Sequence, residues 1–260
     1  MPTNPETHTY RQVAESFGVD AARYDRTRPR YPDEMIRTIL AATTPHRDVL
    51  DVGCGTGISS QPFLDAGCAV LGVEPDPRMA GVARLRGVEV EESTFEAWDP
   101  GGRTFDLVVA GQTWHWVDPV VGARRAAEVL RPHGRLAVFW NGMQPEPALA
   151  EAFAAITARL LPEAPVLSSA AGAYETMSGT AASGMITAGG FDEPETWQFA
   201  WERRYTRDEW LDQLPTFGFH TRLPAERLQP ILEANGAAVD EAGGAFTMQF
   251  TAIAVSARRR

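Results

Sequence analysis

Apolar positions fall into two kinds of run along this chain. Val49-Leu50-Asp51-Val52, Val70-Leu71-Gly72-Val73, Phe105-Asp106-Leu107-Val108-Val109-Ala110 and the stretch 135–140 are short and nearly continuous. Such runs read as strands buried on both faces, the pattern of a parallel sheet. Between them apolar residues recur at helical spacing, so strands over 48–52, 69–73, 88–91, 105–110 and 135–140 alternate with helices over about 58–66, 79–86 and 119–130. Gly134 is the expected stop of the last helix.

Beyond residue 141 the alternation loosens. The spacing predicts an amphipathic helix over 147–161, whereas 168–190 is rich in Ser, Ala and Gly with little periodicity and is expected to form a mobile lid. Strands over 195–205 and 245–257 follow, with a helix opened by the capping box Thr206-Arg207-Asp208-Glu209 and another over 222–235. Ahead of the first strand, residues 1–11 are polar and expected to be loosely docked, with helices over 11–17 and from Asp33 to about residue 42. The expected organisation is an N-terminal helical cap (1–43), a first half of an α/β doubly wound sheet (44–141) and a second half (142–260) carrying the lid at about 142–190.

One stretch holds the candidate chemistry. After Val49-Leu50, Asp51 is followed by glycines at alternate positions, Gly53, Gly55 and Gly57, and then by a helix-compatible segment. Glycine is needed where a backbone takes unusual dihedrals or approaches a ligand too closely for a Cβ. The N–H groups at the start of the following helix suit an anionic group. About 20 residues on, Glu74 stands where the second strand ends, the position of an acid that accepts both hydroxyls of a ribose. The pair points to an adenosine-type ligand; an ordinary glycine-rich strand-helix turn is the alternative.

The run Asp51-x-Gly53-x-Gly55-x-Gly57 with Glu74 downstream resembles the cofactor loop of class I S-adenosylmethionine-dependent methyltransferases of the small-molecule type, similar to the trans-aconitate and quinone-biosynthesis enzymes. The resemblance implies a seven-stranded, mostly parallel Rossmann-like sheet whose antiparallel final strand sits between strands 5 and 6, with a helical lid. It implies S-adenosyl-L-methionine as cofactor and S-adenosyl-L-homocysteine as product. The glycines would approach the methionine part, Asp51 would fix the loop and Glu74 would bind the ribose. Tyr24-Asp25-x-x-Arg28-Pro29-x-Tyr31-Pro32 is similar to a segment that folds over the cofactor, which makes Tyr24 and Arg28 contacts to the methionine end. Met79 would lie near the adenine, Thr94 and Phe95 match the positions that read its edge, and Gln112 joins the cofactor contacts. Many relatives carry Asp where Thr94 stands.

The carboxyl end of a central parallel strand is where an open α/β sheet sets its chemistry, and here that end is Gln112-Thr113-Trp114-His115-Trp116. Methyl transfer needs alignment above all, worth about 7–11 kcal/mol in favourable cases, while a hydroxyl acceptor also wants a base. His115 is the candidate base, with a packed structural ring as the alternative. Trp114, Trp116 and Trp140 suggest an apolar acceptor pocket, and Arg203 or Arg204 could clamp an acidic acceptor. The reading is methylation of a small, partly apolar metabolite at a carboxylate or hydroxyl oxygen. Its alternative is a regulatory or non-methylating S-adenosylmethionine-binding protein.

Composition narrows the classes. A formal net charge of −10 disfavours nucleic-acid backbones as partners. All 24 basic residues are Arg, which removes lysine general-base and Schiff-base chemistry and the Tyr-x-x-x-Lys pair of short-chain dehydrogenases. Cys54 and Cys68 have no ligand spacing with the histidines, so no metal is expected. No apolar run approaches a membrane span and no leader pattern is present, giving the expectation of a cytoplasmic monomer or homodimer.

Overall fold

The computed structural model describes residues 15–43, 47–163 and 170–260. The loose docking expected of residues 1–11 lies outside them, as does most of the helix expected over 11–17; Glu15–Asp20 is a turn of 3-10 helix. In chain order the elements are α1 (Ala21–Thr27), α2 (Asp33–Ala41), β1 (Asp48–Val52), α3 (Gln61–Asp65), β2 (Ala69–Val73), α4 (Pro77–Leu85), β3 (Glu89–Glu91) and β4 (Phe105–Gly111). They continue with α5 (Pro119–Val129), β5 (Leu130–Gln144), α6 (Pro147–Leu160), α7 (Ala170–Ala188), β6 (Glu195–Thr206), α8 (Arg207–Gln213), α9 (Ala225–Glu241) and β7 (Ala245–Arg258).

The strands form one seven-stranded sheet in the order β3-β2-β1-β4-β5-β7-β6. β1 to β5 pair in parallel, and β7 runs antiparallel between β5 and β6. The expected topology is therefore present. Strand order reverses between β1 and β4, and the crevice at such a switch point is where open α/β sheets bind ligands.

Alternation along the strands separates two cores. Leu50, Val108, Leu136 and Val138 face α5 and α7 with Ala126 and Met185. Val49, Leu107, Val109, Ala137 and Phe139 face the other way, onto Met35, Ile39, Phe63 and Ala80. Each large side chain so buried contributes about 1.5–3 kcal/mol, and both faces of β4 are covered, which is why its sequence reads as a continuous apolar run. A third cluster joins Leu149, Tyr205, Trp210, Val239, Phe246 and Phe250 at the carboxyl end of β6.

Two expectations are corrected. The helical lid expected within 168–190 is not a mobile cover: α7 occupies 19 residues and buries Ala181 and Met185 against the sheet. Its small residues permit close approach to α5, since a Cβ on Gly184 would stand 2.5 Å from the Pro119 carbonyl oxygen. The helix end was also misplaced: α5 stops at Val129, and His133, not Gly134, takes the left-handed backbone with φ of 65°. The capping box at Thr206 and Glu209 forms as expected. Among the described residues no helix is long and apolar enough to cross a membrane.

Candidate functional site

At the exit of β1, the Gly53 N–H donates to the Val73 carbonyl at 2.7 Å and the Gly57 N–H to the Cys54 carbonyl at 2.8 Å. Gly53, Gly55 and Gly57 have φ of 63°, 56° and 86°, a left-handed run that β-carbons disfavour. Asp51 is fully buried, and its Oδ2 accepts the hydroxyls of Ser59 at 2.7 Å and Ser60 at 2.6 Å. Burial pushes its carboxyl up to about 6, against the pull of the two serines. Asp51 thereby ties both ends of the loop together, while its Oδ1 has no partner among the described residues.

Glu74 follows the last residue of β2 and is 8% exposed. One carboxylate oxygen accepts the Gly55 N–H at 3.0 Å and the other accepts the Asp76 N–H at 2.9 Å. A carboxylate offers about four lone-pair directions, so each oxygen keeps capacity for another donor. Burial raises its pKa to about 7, partly offset by these backbone donors. The Met79 terminal methyl lies 3.5 Å from where a side chain on Gly55 would begin. Loop, acid and thioether are thus assembled from β1, β2 and α4.

The end of β4 closes the other side. Gln112 is a non-glycine residue with φ of 55°, an uncommon conformation of the kind that recurs at functional sites. Its N–H donates to the Phe139 carbonyl at 2.8 Å and its side-chain amide to the Asn141 carbonyl at 3.3 Å. Thr113 Oγ1 donates to the Gly53 carbonyl at 3.0 Å, joining this edge to the glycine loop. Phe95 is buried in the cluster that holds Val52 and Val73, 6.3 Å from the Trp114 ring, and half-buried Thr94 accepts the Trp98 N–H at 2.9 Å.

Tyr24 and Arg28 arrive on α1 and its C-cap. The Arg28 guanidinium lies 4.8 Å from the Tyr24 ring centre and 4.7 Å from that of Phe217, and donates to the Thr216 carbonyl at 2.5 Å. Asp25 pairs with Arg86, the residue after α4, at 2.8 Å, and Arg26 pairs with Asp212 of α8 at 2.8 Å. The segment therefore bridges the two halves of the sheet.

The aromatic residues divide differently from the expectation of an acceptor pocket. Trp114, on a turn of 3-10 helix after β4, and Trp140, on β5, are both packed in the core beneath α5. Trp116 is half-buried, its ring 4.5 Å from that of His115. His115 Nδ1 accepts the Trp140 indole N–H at 3.2 Å, which assigns the ring proton of the neutral form to Nε2. Burial depresses its pKa to about 4. Arg203 donates to the Thr27 carbonyl at 3.2 Å, strapping α1 to β6, and Arg204 is exposed.

Residues not singled out from sequence complete the edge. The Tyr31 hydroxyl fills the space beside Gly111, 2.7 Å from where a β-carbon there would stand, and its ring meets Phe139 edge-on at 4.7 Å. Asn141, 2% exposed, donates to the Arg30 carbonyl at 3.0 Å and accepts the Trp201 indole N–H at 3.2 Å. Its position directly after the expected strand 135–140 was the available signal, although β5 in fact runs on through it. Among the described residues no cluster of ligating side chains suits a metal ion.

Comparison with known proteins agrees with this arrangement. Residues 50–138 match the model of a methyltransferase domain. An uncharacterized methyltransferase from Mycobacterium tuberculosis is 39% identical over 137 residues, 52% of this chain and 56% of the relative. A ubiquinone biosynthesis O-methyltransferase from Bradyrhizobium diazoefficiens is 35% identical over 97 residues, 35% of this chain and 38% of the relative. The chain thus spans about half the length, or less, of these curated relatives. The solved structure of a candidate type II methyltransferase from Anaeromyxobacter dehalogenans superposes with a TM-score of 0.66 at 22% identity, covering 89% of this chain and 97% of that one.

Proposed function

We propose, from the match of residues 50–138 to the model of a methyltransferase domain and from the seven-stranded fold, that this chain binds S-adenosyl-L-methionine and transfers its methyl group to a small, partly apolar acceptor. The observation that carries the reading is the hydrogen bond from the Gly55 N–H to Glu74, which joins three left-handed glycines to a buried acid with spare lone pairs. That is a cradle for a ribose and the chain attached to it. A dinucleotide seat would have its third glycine one residue later, where the helix packs closely on the strand.

In this reading Glu74 accepts the ribose hydroxyls and Met79, Thr94 and Phe95 flank the adenine. Gly53, Gly55, Gly57 and Gln112 border the methionine part, with Tyr24 and Arg28 closing over it. Asp51 holds the loop from behind through Ser59 and Ser60. The bound cofactor supplies an electrophilic methyl on a sulfonium, so the chain's own task is alignment and exclusion of water. His115 serves as a neutral ring holding Trp140, since its Nδ1 is engaged and its pKa is far below neutrality. An oxygen acceptor already ionised, or one losing its proton to water, suits a site whose described histidine is occupied in this way.

A regulatory protein that binds the cofactor without turnover is not favoured, since the matched relatives are named methyltransferases. Incubating the protein with methyl-labelled S-adenosyl-L-methionine and a small-metabolite extract, followed by mass spectrometry, tests the reading. Label in a small molecule supports it. Cofactor binding with no labelled product contradicts it.

A further inference from the structure

The two edges of the sheet are built differently. β3 offers only Glu89–Glu91, two acids around one valine. A strand so short and charged is blunted against pairing with other strands. β6 runs for 12 residues, Glu195–Thr206, and β7 is its one neighbouring strand among the described residues. The two pair without a register shift from Glu195–Ser256 to Thr206–Ala245, and no Gly or Pro interrupts β6. The N–H and C=O groups on its outer side therefore form a long, regular row with no described strand beside it, which is a template for another strand.

The side chains on that edge suit a second copy of the same strand. On one face Thr196, Gln198, Ala200, Glu202 and Arg204 are all exposed. On the other, Trp197, Phe199 and Trp201 are only half-buried, packed at the margin of the core that holds Ala252 and Ala254. Three aromatics in a row thus leave apolar surface along the outermost strand. The chain carries a formal net charge of −10, which sets two copies against each other. Within β6, however, Glu195 and Glu202 offset Arg203 and Arg204. The strand is neutral on an acidic protein.

We propose that this chain forms a two-fold dimer in which β6 pairs antiparallel with β6 of a second copy about Ala200, joining the two sheets into one. About that centre Phe199 faces Trp201 of the second copy, Trp197 faces Arg203, Gln198 faces Glu202 and Thr196 faces Arg204. No like charges stand opposite, and Arg203 lies diagonal to Glu195 of the second copy. Such cross-strand pairs are what stabilise a sheet. Centres on Glu202 or Arg203 would set each of those charges against itself. Ala200, small and uncharged, lies at the middle of the strand, so nearly the whole of β6 is used. These self-matching charges select a second copy over an unrelated strand.

Analytical ultracentrifugation and cross-linking test the pairing. Wild type is expected to sediment at twice the mass of one chain. Ala200→Arg sets like charges face to face at the centre of the pair and should sediment as a single chain, with the far-UV circular dichroism of wild type because the position is exposed. Directly opposed residues of an antiparallel pair have Cα atoms about 4.5–5.5 Å apart, within reach of a disulfide. Ala200→Cys should therefore give a covalent dimer on a non-reducing gel after mild oxidation. Glu202→Cys, roughly 13 Å from its copy in this register, should not. Cys54 and Cys68 are buried, so oxidised wild type serves as the blank. Wild type sedimenting as a single chain at every concentration, a dimer that survives Ala200→Arg, or no cross-link at Ala200→Cys overturns the proposal. If Ala200→Arg fails to fold, the contrast between the two cysteine variants decides alone.

Discussion

Glu74 accepts the backbone N–H of Gly55 at 3.0 Å. The acid that ends one strand thereby holds open the central glycine of the loop that ends its neighbour. β1 and β2 pair in register from Asp48–Ala69 to Val52–Val73, so the two residues that leave the sheet meet without distortion of either strand. The geometry sets the loop before any ligand arrives, and pre-set loops bind with less ordering cost.

Gly53 gives a stability prediction. A β-carbon there would fall 2.2 Å from the Thr113 methyl group and would sit on a backbone with φ of 63°. Gly53→Ala should lower unfolding free energy by about 2–4 kcal/mol, combining left-handed strain with overpacking. Thr113→Ser removes that methyl, so the alanine should cost about 1 kcal/mol less in the serine background. Urea melts of the four proteins read the cycle. Strictly additive values would show that the clash with Thr113 is not what the glycine avoids.

The buried acids set a pH dependence of stability. Asp51 rises to about 6 and Glu74 to about 7, from ordinary values of 3.8 and 4.5. The folded protein then holds more protons than the unfolded chain between roughly pH 4 and 7, so the ligand-free protein should lose stability as pH rises through that window. Asp51→Asn keeps an acceptor for Ser59 and Ser60 while removing one titration. It should shrink the loss between pH 4.5 and 8 by about 1–3 kcal/mol. Melts showing the same pH slope in both proteins would mean Asp51 does not titrate there.

His115 should prove insensitive. With its pKa near 4 and Nδ1 occupied by the Trp140 indole, the ring stays neutral from pH 6 to 9. His115→Gln, which can still accept from Trp140, should keep turnover within threefold and leave the shape of the pH profile unchanged over that range. A lost limb in the profile of the variant would restore the histidine as a base.

How legible this was depended on whether a feature was local. Asp51 to Gly57 declared itself because an apolar strand, a turn and a helix start are consecutive. Glu74 followed from the spacing, and the buried strands from their lack of alternation. The packing of α7 into the core was opaque because its Ser, Ala and Gly composition shows little periodicity, and its close approach to α5 at Gly184 and Pro119 joins residues 65 apart along the chain. Trp114 and Trp140 could be seen as aromatic, but that both turn into the core beneath α5 is a matter of tertiary packing.

Glu74 should also impose a pH dependence on cofactor binding. If the ionised carboxylate is the form that accepts ribose hydroxyls, its raised pKa of about 7 means that affinity for S-adenosyl-L-homocysteine weakens below pH 7, approaching tenfold per unit. Glu74→Gln should be weaker and flat with pH.

The most direct measurement is calorimetry of S-adenosyl-L-homocysteine binding to wild type and Glu74→Ala at pH 8. Loss of two charge-assisted hydrogen bonds of about 1.5–3 kcal/mol each, partly restored by water, should weaken affinity at least tenfold. Equal affinity in the two proteins, or no binding to wild type, would contradict the account.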